Sequence, residues 1–192
     1  MEYTKSVKTV CHSEGVPISS RFVGKNLRVT GEGNPKIAVL GIGNLLLKDE
    51  GIGVHLVQEL ASIVDASNVT IVDGGTSPDI MSLVDPSIDK LIIIDAVKGG
   101  YKPGTVYRFS SDDLDLDSVS PVSVHDIGVL ESLRMMALLD RQPKSTVIIG
   151  IEPKEIDFGL DLSPEVEQRL PEIIKLVLQE IEETNTAMEV SK

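Results

Sequence analysis

One histidine and a few carboxylates, far apart in the chain, are the residues best suited to chemistry. Asp95 ends the apolar run Leu91-Ile-Ile-Ile94, so its carboxylate is predicted where an apolar sheet meets a cleft. Partial desolvation at such a place favours either a partner cation or a bound proton. His125 lies between Ser123 and Asp126, a capping-box spacing with Asp in place of Glu, which puts the imidazole in the first turn of a helix. The positive dipole end there disfavours imidazolium, and a neutral imidazole can ligate a metal or accept a proton. Asp73 opens Asp73-Gly74-Gly75-Thr76 at the end of another apolar run, and Asp49 and Glu50 stand side by side before Gly51. Adjacent acids serve different ends: one can face the cleft while the other caps the helix starting near Gly51. Each residue also has a plainer use, since a strand-end aspartate can cap a loop and a helix-start histidine can hydrogen-bond its neighbours.

Several chemistries are excluded. The three histidines are never four residues apart, so no H-E-x-x-H zinc motif exists, and no G-x-S-x-G follows a strand. Cys11 is the only cysteine, which rules out an intramolecular disulfide framework and a multi-cysteine zinc site and suits a reducing compartment. Cys11 and His12 sit together only as a weak metal pair. The glycines Gly41 and Gly43 begin like a dinucleotide fingerprint, but Leu46 stands where the third glycine belongs. A tight turn bringing backbone close to a neighbour explains them instead. What remains is one imidazole with several carboxylates. That nitrogen and oxygen set suits nickel, zinc or manganese, or a carboxylate-and-water mechanism.

The elements that must position these residues are legible. The runs beginning at Ile37, Val69, Leu91, Thr105 and Thr146 read as strands, mostly apolar on both faces. Between them, Ile52, Leu56, Val57, Leu60, Ile63 and Val64 form one helical stripe, and Ile127, Leu130, Leu133 and Leu138 form another. Ser163 before Pro164 looks like an N-cap with proline at the first helical position, and Pro171 should kink or restart the helix that runs on to Ile181. Alternating strands and helices predict a three-layer α/β fold: a doubly wound, mostly parallel sheet with helices on both faces. The strand after Pro103-Gly104 follows Asp95 too closely for a helical crossover and is expected to be antiparallel. In such sheets ligands gather beyond the carboxyl ends of the strands, where three acids and His125 converge.

The 192 residues correspond to one domain with an appendage. Residues 1–34 read as an N-terminal extension of uncertain order, 35–184 as the domain, and 185–192 as a tail. The net charge of −12 argues against nucleic acid or an anionic membrane as the main partner. The charge is uneven: residues 1–34 hold five Lys and Arg against three acids, leaving 13 against 27 in the rest. The acidic stretch from Asp112 to Asp117 reads as solvated loop. No apolar run has the length of a membrane span or a leader, so the chain is expected to be soluble and intracellular.

Taken in order, Gly41-Ile-Gly-Asn44 with Asp49-Glu50-Gly51-Ile-Gly53, Asp73-Gly-Gly-Thr76, Ile94-Asp95-Ala96, Pro103-Gly-Thr105, Ser123-Val-His125-Asp-Ile-Gly128, Gly150-Ile-Glu-Pro153 and Leu162-Ser-Pro164 resemble the motif series of the hydrogenase maturation proteases. These endopeptidases trim the C-terminus of the large subunit of nickel-iron hydrogenases. Any one motif is weak; the series, from about Lys36 to Ile181, is specific. The resemblance implies a phosphorylase/hydrolase-like fold, a cytoplasmic enzyme of aspartic or nickel-dependent type, and a large-subunit precursor as partner. It implies that nickel, supplied by the substrate, is held by Glu50, Asp95 and His125, and that Asp73 serves substrate recognition or cleavage. Ser77-Pro78 stand where many members have a small residue and Gly, which implies an adjoining loop fitted to a different hydrogenase class. Two readings compete with proteolysis: a checkpoint module that binds the nickel-loaded precursor without cutting it, and a small-molecule hydrolase using the same rim.

Overall fold

The structure, a computed structural model, describes residues 8–9, 34–77, 79–110 and 124–189, with the side chains of 8–9, 124–127 and 187–189 excluded. The pairing of Cys11 with His12 and the acidic stretch from Asp112 to Asp117 lie outside the described residues. Strands β1 (Lys8–Thr9), β2 (Ile37–Ile42), β3 (Val69–Gly75), β4 (Lys90–Ala96), β5 (Val106–Ser110) and β6 (Ser145–Ile151) form one sheet in the order β1-β5-β6-β4-β2-β3. β3, β2, β4 and β6 are mutually parallel, and β5 runs antiparallel to β6, as its short connection requires. The two-residue β1 pairs antiparallel with the free edge of β5. Nothing in the alternation of residues 1–34 announces that strand.

The central strands are continuous apolar runs because both of their faces are covered. β2 and β4 are buried along their whole lengths. On one face Val39, Ile92, Ile94 and Ile149 pack against α1 (Ile52–Ile63) and α5 (Leu170–Glu189); on the other, Leu40, Leu91 and Ile93 pack against α2 (Ile80–Leu83) and α3 (Val124–Leu138). This is the three-layer α/β arrangement. The predicted α3 stripe holds at Leu130 and Leu133, but Leu138, the last residue of α3, is 79% exposed. A short α4 (Pro164–Glu167) precedes α5, which restarts with Pro171 in its first turn. No helix among the described residues is long and apolar enough to cross a membrane.

At the starting end of β4 a charge cluster is sealed into the core. Lys90 Nζ donates to Glu180 Oε2 at 2.8 Å and Arg108 Nε donates to Oε1 at 2.5 Å, with Glu180 only 4% exposed. Burial alone would raise the Glu180 carboxyl, but hydrogen bonds from Arg108 and Lys90 together with their charges outweigh it and hold it below its ordinary value. A depressed carboxyl stabilises the fold above its unfolded value of 4.5, and that contribution is lost as pH falls through the folded value. Glu180→Gln is therefore expected to cost about 2–3 kcal/mol at neutral pH, since it leaves two cations facing a neutral group. Urea melts of both proteins should show the gap closing as pH drops below 4.5; a gap independent of pH would contradict the assignment.

Candidate active site

The strand order creates a crevice. β2 sends the chain through α1 toward β3, on one face, whereas β4 sends it through β5 and α3 toward β6, on the other. The carboxyl ends of β2 and β4 are adjacent, so the loops leaving them part and open a cleft between them, the usual ligand position in such sheets.

Glycines bring the far wall of that cleft into place. Gly43, at φ +147°, carries the chain away from β2, and a Cβ there would lie 1.9 Å from the carbonyl oxygen of Glu50. Gly53 seats the first turn of α1 against the strand ends: a Cβ would lie 2.2 Å from the oxygen of Ile42 and 2.3 Å from that of Ile94. A Cβ on Gly41 would likewise lie 2.1 Å from the Gly53 oxygen, so the packing supports the close-approach reading of the Gly41 and Gly43 pair, and the 3₁₀ turn Lys48–Gly51 lies beside β4. Gly53→Ala should force backbone apart and destabilise by at least ~2 kcal/mol, read as a lower urea midpoint; an unchanged midpoint would show that α1 is not seated as described.

The predicted site residues occupy this rim in different ways. Asp95, 3% exposed, points to the face of Leu91 and Ile93 by strand alternation, and its Oδ1 accepts from the Ala96 N–H at 2.8 Å. Glu50 is half-buried in the 3₁₀ turn, with its Oε2 shut off from solvent. His125 is the second residue of α3, and its side chain is outside the described residues. α3 has 15 residues and β6 has seven, so each spans about 22–23 Å. Because β6 starts level with Lys90, at the sheet's opposite edge, α3 runs down the sheet and its first turn stands at the carboxyl rim. The backbone thus brings Asp95 and His125 to one rim and one face. The predicted cap by Ser123 lies outside the described residues. Among the described residues no three His, Cys, Asp or Glu side chains converge on a metal position, a set that does not contain the His125 imidazole.

Asp73 is placed differently. It lies near the carboxyl end of the edge strand β3, two strands from β4, about 10 Å away in the hydrogen-bonding direction. It is exposed on the α1 side, where Oδ1 accepts from the Gly75 N–H at 2.9 Å and Oδ2 from Gln58 Nε2 at 3.4 Å. Asp73 and Asp95 therefore share a rim but lean to opposite faces of the sheet. His55, read as a surface or packing residue, is half-buried in α1.

Two buried carboxylates hold the rim loops in place. Asp49 is fully buried and does not cap α1, whose N-cap, Gly51, has no side-chain hydrogen bond. Its Oδ2 accepts from the N–H groups of Lys154 and Glu155 at 2.9 and 3.1 Å and from Ser163 Oγ at 2.8 Å, while Oδ1 accepts from the Ser163 N–H at 2.7 Å. Ser163 does precede Pro164 at the start of α4, but its hydroxyl is given to Asp49 and makes no capping bond to the helix. Glu152 does the same for the loop after Asp95: it accepts from the N–H groups of Gly99, Gly100 and Tyr101 and from the Tyr107 hydroxyl. Burial pushes the Tyr107 phenol up, and the hydrogen bond and charge of Glu152 push it further, so it stays a donor. In the sequence Glu152 stands within the Gly150-Ile-Glu-Pro153 motif, and its signal, an acid directly after an apolar strand, is the same as that of Asp95.

A rim that gathers Glu50, Asp73 and Asp95 with the helix start bearing His125 suits hydrolysis, and known proteins point the same way. The family model described as "HycI: Hydrogenase maturation protease" matches residues 54–180. The chain is 40% identical over 151 residues to the hydrogenase expression/formation protein HupD of Thiocapsa roseopersicina, covering 76% of this chain and 67% of that one. It is 31% identical to the hydrogenase 2 maturation protease of Escherichia coli over 78% of this chain and 92% of that protein. Among solved structures, the hydrogenase maturating endopeptidase HybD from E. coli superposes with a TM-score of 0.70 at 29% identity, covering 78% and 93% of the two chains. With the ordered motifs on one rim of the expected sheet and a family model that spans most of its length, the chain belongs to the hydrogenase maturation protease family.

Proposed function

We propose that this protease acts in the cytoplasm on the precursor of a nickel-iron hydrogenase large subunit and removes its C-terminal extension once nickel has been inserted. The observation that carries the reading is Asp95: a carboxylate 3% exposed at the end of an isoleucine strand, next to the turn that bears Glu50. A carboxylate held at the edge of a cleft can serve as a ligand to a cation that a substrate brings there. Here the cation is the nickel that arrives with the substrate, and Glu50, Asp95 and His125 are its ligands on the protease.

The donor set fits. Two carboxylate groups and one imidazole are hard-to-borderline ligands of the kind nickel accepts, and three protein donors leave positions for the substrate's own. When bound there, nickel would supply a Lewis acid or lower the pKa of a water. The chain's own residues do the rest. Asp95, fixed by the Ala96 N–H, and Glu50, carried on a turn whose backbone abuts Gly43, hold the loaded C-terminal region in one orientation. Asp73, exposed on the other face of the rim, accepts hydrogen bonds from the peptide or orients the attacking water. Peptide-bond hydrolysis then leaves a new carboxylate on the large subunit and releases the extension.

The test is the intact mass of purified precursor, loaded with nickel or free of it, after incubation with the wild-type protease. Loss of the extension from the loaded form only is expected. A stable complex with no shortening would replace the protease with a checkpoint module. Equal shortening of both forms would remove nickel from the account.

A further inference from the structure

The loop between β6 and α4 is held as firmly as the site and yet turns apolar side chains to water. Its two feet, Lys154-Glu155 and Ser163, are both tied to buried Asp49. Its middle is latched to the turn before Glu50: the Gly159 N–H donates to the Leu46 oxygen and the Lys48 N–H to the Gly159 oxygen, each at 3.0 Å. The bridge between Leu47 and Gly159 puts Leu46 opposite Phe158. Despite this anchoring, Phe158 is 84% exposed, Leu160 63%, Leu46 60% and Ile156 37%. Single exposed apolar residues need no explanation, but four gathered on one pinned loop pair mark a contact surface. An aromatic side chain on a pre-ordered loop is the usual anchor of such a surface, because little ordering entropy opposes binding.

The charges around the patch indicate the partner. Lys154 is paired with Glu165 and Lys48 with Glu155. Asp157 and Asp161 are exposed, with no cation of the described residues beside them. The rim is therefore acidic, in a chain of net charge −12. A second copy would bring the same acidic rim face to face with this one, which disfavours self-association through the patch. An apolar pocket ringed by Lys and Arg fits it.

We infer that the Leu46–Ile156–Phe158–Leu160 patch docks the folded body of the large-subunit precursor, with Phe158 entering an apolar pocket beside the point where the C-terminal region leaves that body. The inference rests on the function proposed above, since the patch continues directly into the turn carrying Glu50. It makes recognition of the body, and not only of the nickel and the tail, part of substrate choice.

The test compares wild type, the double variant Phe158→Ser/Leu160→Ser and the control Leu138→Ser, whose side chain is as exposed but lies on α3. Each is measured for binding to immobilised nickel-loaded precursor and for its rate of tail removal across precursor concentrations. The double variant is expected to melt like wild type, to bind at least about tenfold more weakly, and to show that loss in KM with kcat within about twofold, while the control changes neither. Asp157→Lys/Asp161→Lys is expected to slow association most at low salt. Unchanged binding and KM in the double variant would overturn the docking surface while leaving the protease reading intact. Phe158-dependent binding with no cleavage by wild type would do the reverse. A wild-type dimer that the double variant converts to monomer would assign the patch to self-association and overturn the inference.

Discussion

Replacing Asp49 by Ala is expected to lower the unfolding free energy by about 4 kcal/mol. The carboxylate is fully buried and takes hydrogen bonds from Lys154 N, Glu155 N, Ser163 N and Ser163 Oγ. Removing it strands four donors, each costing about 1–3 kcal/mol if left unsatisfied, and water entering the loosened loop recovers part of that sum. Asp49→Asn should fall between, at about 2 kcal/mol, because an amide presents one accepting oxygen where two are used and turns an N–H toward another donor. Urea denaturation gives both values. The loop from Lys154 to Ser163 should also become the first site of limited proteolysis in the Ala variant. A loss under ~1 kcal/mol would mean that the loop is held by its other contacts.

The second large effect is on rate. Glu50→Gln, Asp95→Asn and His125→Ala are each expected to reduce tail removal from the nickel-loaded precursor by about 10²–10⁴-fold. Their stability should change much less than that of Asp49→Ala. Asp73→Asn should be milder and act mainly through KM, because its carboxylate is exposed, leans to the α1 face and is already occupied by the Gly75 N–H and Gln58. Single-turnover rates by intact mass separate the two classes. A His125→Ala protein that trims at full rate would remove that residue from the site.

Much of this was visible in the sequence. Asp95 could be found because a buried central strand is written as an unbroken apolar run, so the first acid after it marks the sheet's edge. The antiparallel β5 could be found because ten residues separate Asp95 from Val106, too few for a crossover helix. The close approach at Gly41 and Gly43 was legible from the missing third glycine. Asp49 was not legible. Its partners are 105 to 114 residues away, and periodicity carries no information about which loop a buried carboxylate will meet. Ser163 does stand at the N-cap of α4 with Pro164 following, as the local Ser-Pro signal implies, but its hydroxyl goes to the tertiary acceptor Asp49 and not to the helix. Glu152 follows an apolar strand as Asp95 does and was legible by the same signal, whereas the exposed Phe158 lies in a loop that gives no period to read. Leu138 fits the α3 stripe in spacing, but it is the last residue of the helix and exposed, and spacing alone does not say where a helix ends.

The central claim is that Glu50, Asp95 and His125 act as one unit on one nickel. The measurement that tests it most directly is the single-turnover rate of tail removal from nickel-loaded precursor by the three single variants and by the triple variant. Residues that share a single ion fail together. Each single variant should therefore lose nearly as much rate as the triple. Losses that multiply across the three positions would contradict the claim and show three separate contacts with the substrate.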